Sequence, residues 1–220
     1  MVAPTGIANR NNAYSQKANY VRLAKGDLSR SGFFGIVPPD RVKAIAISGI
    51  TKLGVTLNVT SVPGVWIGNP APVLTRQWTR DGVDVAGKTA GTDLMAAADV
   101  GKMIACRLTN TNAWGASTVV TPSVGPIGED PANTVLPVIA GILTVGSVLN
   151  VTATPGTWTG TPAPTISWQW TRDTVNIAGA TASSYTLVAG DAGTMIACKV
   201  TGTNIYSAVV ATTAAVGPIA

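Results

Sequence analysis

The chain has 220 residues, of which only 11% are charged, with 24 glycines, 14 prolines and no histidine. Without imidazole, Ser-His-Asp and Cys-His catalysis and histidine metal ligation are excluded, and no run of eighteen apolar residues offers a membrane-spanning helix. The formal charge of +5 sits within the first 45 residues, where Arg10, Lys17, Arg22, Lys25, Arg30, Arg41 and Lys43 face only Asp27 and Asp40, and the remainder is balanced.

Residues 1–41 read as an N-terminal anchoring arm, extended and partly irregular. Met1 to Gly6 lack the basic and apolar regions of a secretory signal, so the expectation is a protein assembled in a cytoplasm. Asn9-Arg10-Asn11-Asn12 is loop-like. Residues 13–25 have the spacing of a short helix, with Tyr14, Ala18 and Val21 on one side, which Gly26, Ser29, Ser31 and Gly32 would stop. Phe33 and Phe34 follow, the only phenylalanines of the chain, in a segment too short to build its own core. Such a pair predicts an anchor on another protein, and the alternative is a fold back to cap the first domain. The anchoring residues are Tyr14, Lys17, Tyr20, Arg22, Arg30, Phe33 and Phe34. Nucleic acid is disfavoured as the partner, because these cations are scattered among Asn, Gly and Ala instead of clustered.

From residue 42 the chain says the same thing twice. Gln77-Trp78-Thr79-Arg80-Asp81 through Met103-Ile104-Ala105-Cys106 returns as Gln169-Trp170-Thr171-Arg172-Asp173 through Met195-Ile196-Ala197-Cys198. The offset needs no gap, and about half of the aligned positions are identical, which establishes a tandem duplication. The domains are therefore 42–127 and 134–220, with a proline-bearing linker at 128–133. Val, Ile and Thr runs broken by turn residues predict short strands: 43–47, 56–62, 74–80, 83–85, 93–96, 102–110 and 116–123, repeated at 135–139, 148–153, 166–172, 175–177, 184–188, 194–201 and 208–215. That pattern is all-β, two tandem antiparallel sandwiches.

Each repeat has one cysteine, so no disulfide can form within a domain, and the absence of CxxC spacing argues against a thiolate metal site. No cofactor is expected. Asp81, Asp99, Asp173 and Asp191 recur at turns and read as structural, with Arg80 and Arg172 as partners for Asp99 and Asp191. Trp66 and Trp158 fall in Pro-Gly loops, where they would cap the sandwich end, with sugar stacking as the alternative. Trp114 and Tyr206 are equivalent aromatics in the loop before the last strand, which makes them candidate ligand or partner contacts. Trp168, which replaces Arg76, is assigned to a domain or subunit contact.

The tryptophan of Trp-Thr-Arg-Asp on a third strand, followed by Asp-x-Gly-x-x-Ile-x-Cys and Thr-x-Thr-Asn, resembles immunoglobulin-like domains. The resemblance implies Trp78 and Trp170 as the core tryptophans, with Cys106 and Cys198 at the second cysteine position. The intersheet disulfide is missing, its partner position falling near Leu57/Val59 and Leu149/Val151. Ile104 and Ile196 stand where the family's corner tyrosine would be. Pro-Gly-x-Trp-x-Gly-x-Pro-Ala-Pro with the downstream motifs is similar to Ig-like repeats of tailed-phage virion proteins and some bacterial surface proteins. That resemblance implies a non-enzymatic capsid decoration or head auxiliary protein on the outer surface of the virion. It would dock on the major capsid protein or another virion protein, with host glycan or a second copy of itself as further partners. A tail, neck or baseplate component and a bacterial adhesin are the alternatives.

Overall fold

The computed structural model describes residues 37–41, 44–59, 66–151 and 156–220, so the helix expected at 13–25 lies outside it. In the first domain the strands are β1 (Val37–Arg41), β2 (Ile47–Ser48), β3 (Thr56–Val59), β4 (Trp66–Asn69), β5 (Val73–Arg80), β6 (Val83–Asp84), β7 (Thr92–Leu94), β8 (Ile104–Asn112) and β9 (Gly115–Val120). The second domain repeats them as β10 (Glu129–Val135), β11 (Ile139–Ala140), β12 (Val148–Val151), β13 (Thr157–Thr161), β14 (Thr165–Arg172), β15 (Val175–Asn176), β16 (Ser184–Thr186), β17 (Ile196–Thr203) and β18 (Ala208–Thr212).

A four-stranded sheet, β6-β5-β8-β9, faces a three-stranded one, β2-β3-β7, and the second domain matches with β15-β14-β17-β18 and β11-β12-β16. Every paired strand is antiparallel. The inward-facing residues of β3 alternate with exposed ones, Leu57 and Val59 pointing in, as a half-buried strand requires. The chain is two tandem immunoglobulin-like β-sandwiches.

Each core forms around its tryptophan. Trp78 is wholly buried with Leu57, Cys106, Leu108 and Ile127, and Trp170 with Leu149, Cys198, Val200 and Ile196. Both indoles keep their polar edge satisfied, Nε1 donating to Ala90 O and Ala182 O at 2.9 Å. Both cysteines are free and buried, and burial pushes the Cys198 thiol up to about 11. The thiols therefore pack as small hydrophobes.

Three expectations change. Residues 128–133 are not a linker: 129–135 form β10, paired with β13. By the same register the last five residues assigned to the arm are β1, paired with β4. Trp66 and Trp158 are not in loops but on β4 and β13. The Trp158 ring lies against Gly202, where a Cβ would come within 2.5 Å of it. Domain one has Asn110 at the position of Gly202.

Candidate functional site

The sequence-predicted contacts fall into three groups. Tyr14, Lys17, Tyr20, Arg22, Arg30, Phe33 and Phe34 lie outside the described residues. Trp78, Cys106, Trp170 and Cys198 are core residues. Trp114 and Tyr206, expected to be alike, are not.

The repeated acids prove to be braces. Asp99 Oδ1 receives Arg80 Nε at 2.7 Å and its terminal nitrogen at 2.6 Å, while Oδ2 accepts the Ala96 N–H at 2.8 Å. Asp191 repeats this with Arg172 and Val188 and adds the Tyr185 hydroxyl at 2.9 Å. Burial pushes the Asp191 carboxyl up, but the Val188 N–H, Arg172 and Tyr185 together hold it below the usual range. Asp81 sits at a left-handed turn (φ 47°) and accepts the Met103 N–H at 2.9 Å. Within each domain these carboxylates are committed to backbone, arginine and lysine contacts, which suits a structural role.

Tyr206 stands at the tip of the β17–β18 hairpin, held by Asn204. The Asn204 side chain accepts the Tyr206 N–H at 3.0 Å and donates to Pro162 O at 3.1 Å and Glu129 O at 2.8 Å. From there Tyr206 reaches into the first domain, its hydroxyl donating to Thr51 O at 2.9 Å. The ring covers Gly128, where any Cβ would collide with it, and Lys52 Nζ stands 5.9 Å from the ring centre. Lys52 pairs with Asp130 at 2.8 Å, and Ser207 Oγ donates to the same carboxylate at 2.7 Å. Lys52 first, then Ser207, hold the Asp130 carboxyl below the usual range. The Gly128 backbone is fixed to the first domain, its N–H to Thr51 O and Leu53 N–H to Gly128 O, both 2.8 Å, as Ala220 is fixed to Leu143 and Val145 in the second. Tyr206 is therefore a junction residue, not an outward contact.

Sequence reasoning missed Thr51, Lys52, Gly128, Asp130 and Ser207. The available signal was departure from the repeat: Lys52 matches Thr144, Gly128 matches Ala220, Asp130 matches Pro38 and Ser207 matches Gly115. Positions where the two copies differ in charge, polarity or size are where the duplicated domains do different jobs.

Trp114, at the equivalent hairpin tip of the first domain, is 52% exposed. Its N–H is accepted by Asn112 Oδ1 at 3.0 Å, and Asn112 donates to Pro70 O at 3.0 Å. The two hairpins thus share one asparagine clamp, while the surroundings of the aromatic differ. Trp168 is packed against the core of domain two, with its Nε1 buried and unpartnered among the described residues. An open groove of about 420 Å³ is lined by Thr79, Asp81, Met103, Arg107 and Val120 on the outer side of the four-stranded sheet. Among the described residues no cluster of three acidic, Cys or His side chains is arranged to hold a metal ion, and no helix is long and apolar enough to cross a membrane.

No family model and no curated protein matches the chain. Among solved structures it is similar to the titin I-band fragment I67–I69, at 15% identity and TM-score 0.42 over 81% of this chain and 65% of that one. It is also similar to extracellular domains 3–5 of Drosophila OTK, at 16% identity and TM-score 0.44 over 81% and 61%. Sidekick-1 immunoglobulin domains 1–5 match at 19% identity and TM-score 0.41 over 83% and 39%. The chain spans less than two thirds of each of these three. At such identities the likeness concerns the fold alone, which stands on the strand order and register above.

Proposed function

We propose that this chain is a non-enzymatic structural protein of a phage virion, a capsid decoration or head auxiliary protein. It docks on the major capsid protein through its basic, aromatic arm and holds two Ig-like domains on the outside of the particle. The observation that carries the reading is a division of labour along the chain. The charge excess lies ahead of the sandwiches, while the sandwiches themselves are braced end to end by Tyr206, Lys52 and Asp130. Two small domains joined by a built contact act as a spacer, and an arm that wraps a large surface supplies attachment. The resemblance of the repeat motif to virion Ig-like repeats supports a virion as the setting. Buried cysteines that form no disulfide suit assembly in a reducing host cytoplasm. Trp114 is at the same end of its domain as Val37, so it faces the attachment side; weak glycan binding by the outer domain would gain from copy number.

The test is cosedimentation with phage heads and, separately, tails, using the full chain and a form lacking residues 1–36. Because 37–41 is a strand of the first sandwich, the cut stops at 36. The truncated form should keep both domains folded and lose association with heads. Retained association would overturn the arm's role. Binding to tails alone would move the protein to the tail, neck or baseplate, and binding to neither would favour the adhesin.

A further inference from the structure

We infer that the two uncovered ends of the molecule fit each other: the far end of domain two is a seat for the Trp114 hairpin tip of a second copy. The contact continues between chains the junction that Tyr206 makes within one.

That junction shows what a seated hairpin covers. In domain one Lys52 and Leu53 are half-buried and Gly128 is buried, whereas the matching Thr144, Val145 and Ala220 of domain two are exposed. On the hairpin side Tyr206, Ser207 and Asp130 are half-buried, whereas Trp114, Gly115 and Pro38 are exposed. Among the described residues each chain thus carries one empty seat and one unseated tip. Both are preformed. The bonds that fix Gly128 to Thr51 and Leu53 recur at 2.8 Å between Ala220 and Leu143 and between Val145 and Ala220. The two tips share the asparagine clamp, its N–H contact 3.0 Å in each.

The chemistry of the two free ends has changed in step. Within the chain, Lys52 of the seat pairs with Asp130 beside the tip, and Ser207 donates to the same carboxylate. At the free tip Pro38 and Gly115 stand for Asp130 and Ser207, and at the free seat Thr144 stands for Lys52. The tip has lost its acid and the seat its cation, so their meeting buries no unpaired charge. What remains is apolar: the exposed indole on one side, and Val145, 43% exposed, with the Ala220 methyl on the other. A Cβ at position 128 would lie 1.9 Å from the Tyr206 ring, so Ala220 excludes the tyrosine pose. The indole therefore rests beside that methyl, over Val145. Burial of a large aromatic is what drives such a contact.

Tip and seat are different surfaces, so the contact is heterologous and each pairing leaves another tip and another seat free. Within the chain a short tether holds the partners at an effective concentration of about millimolar. Separate copies must reach that concentration themselves.

Sedimentation velocity of the full chain, from micromolar to millimolar protein, is the test. The weight-average mass should rise with concentration and the species should lengthen. Trp114→Ala removes the tip and Thr144→Glu places a charge on the seat, both at exposed positions, with Val145→Asp as a second seat variant and circular dichroism reporting the folds. Each variant alone should stay monomeric. A mixture of a tip variant with a seat variant should form dimers and stop there, because one intact tip and one intact seat remain between them. A full chain that stays monomeric at millimolar concentration would overturn the inference. So would variants that still associate alone, which place the contact elsewhere, or a mixture that forms no dimer, which points to a symmetric pairing of like ends. Cosedimentation with heads is run on dilute protein and turns on residues 1–36, so the two proposals fail separately.

Discussion

At residue scale, the five-residue motif that announces the repeat is explained position by position. Gln77 Nε2 donates to Val85 O at 2.7 Å, Trp78 fills the core, Thr79 Oγ1 donates to Ala105 O at 3.3 Å, Arg80 holds Asp99 and Asp81 makes the turn. The copies diverge one residue later, where Gly82 (φ 81°) is matched by Thr174 (φ 74°). A β-branched residue in left-handed backbone is strained by about 1–2 kcal/mol, and glycine's extra freedom in the unfolded chain offsets part of the relief. Thr174→Gly should therefore stabilise the second domain by about 1 kcal/mol in denaturant unfolding. A loss of stability would mean that the threonine side chain earns its place through a contact the geometry does not suggest.

At the scale of elements, most strands were legible from alternation, and the Arg80–Asp99 and Arg172–Asp191 pairs from recurrence. β1, β4, β10 and β13 were not. Pro38, Pro39 and Pro131 signal a break in sequence, yet an edge strand tolerates proline because one side of it needs no ladder donor. Register shifts between Val37 and Asp40, and between Glu129 and Ala132, mark where the pairing bends around them. Gly68 and Gly160 likewise read as turn residues, but the asparagine side chains Asn112 and Asn204 pack at those positions. The junction was illegible for a different reason: Thr51 and Tyr206 are separated by 155 residues and belong to different domains. Gly128→Ala tests it. The added methyl must displace Tyr206, losing a hydrogen bond of about 1 kcal/mol and a cation–ring contact of roughly 0.5–1 kcal/mol. Both domains should still fold, while small-angle scattering shows a broader range of interdomain distances. An unaltered scattering profile would show that the Lys52–Asp130 pair and the short connection hold the domains without the tyrosine.

For the whole molecule, the question is how far the spacer's stiffness rests on charge. Asp130 is held below its ordinary value of 3.8 by Lys52 and Ser207. A depressed carboxyl contributes fully above its unfolded pKa and loses that contribution as pH falls through the lower folded value. The ion pair should thus be intact at neutral pH and fail only in acid below about pH 3.8. Its side chains are 25% and 46% exposed, and an exposed pair contributes about 1 kcal/mol or less. The tyrosine contact, partly buried and hydrogen-bonded, outweighs it. Asp130→Asn should accordingly broaden the interdomain distances at pH 7 less than Gly128→Ala does. It should also remove whatever junction loosening the unsubstituted chain shows between pH 5 and pH 3. Scattering measured across that range on both chains decides the point: if Asp130→Asn loosens the pair more than Gly128→Ala, charge rather than the buried aromatic sets the geometry of the two-domain unit.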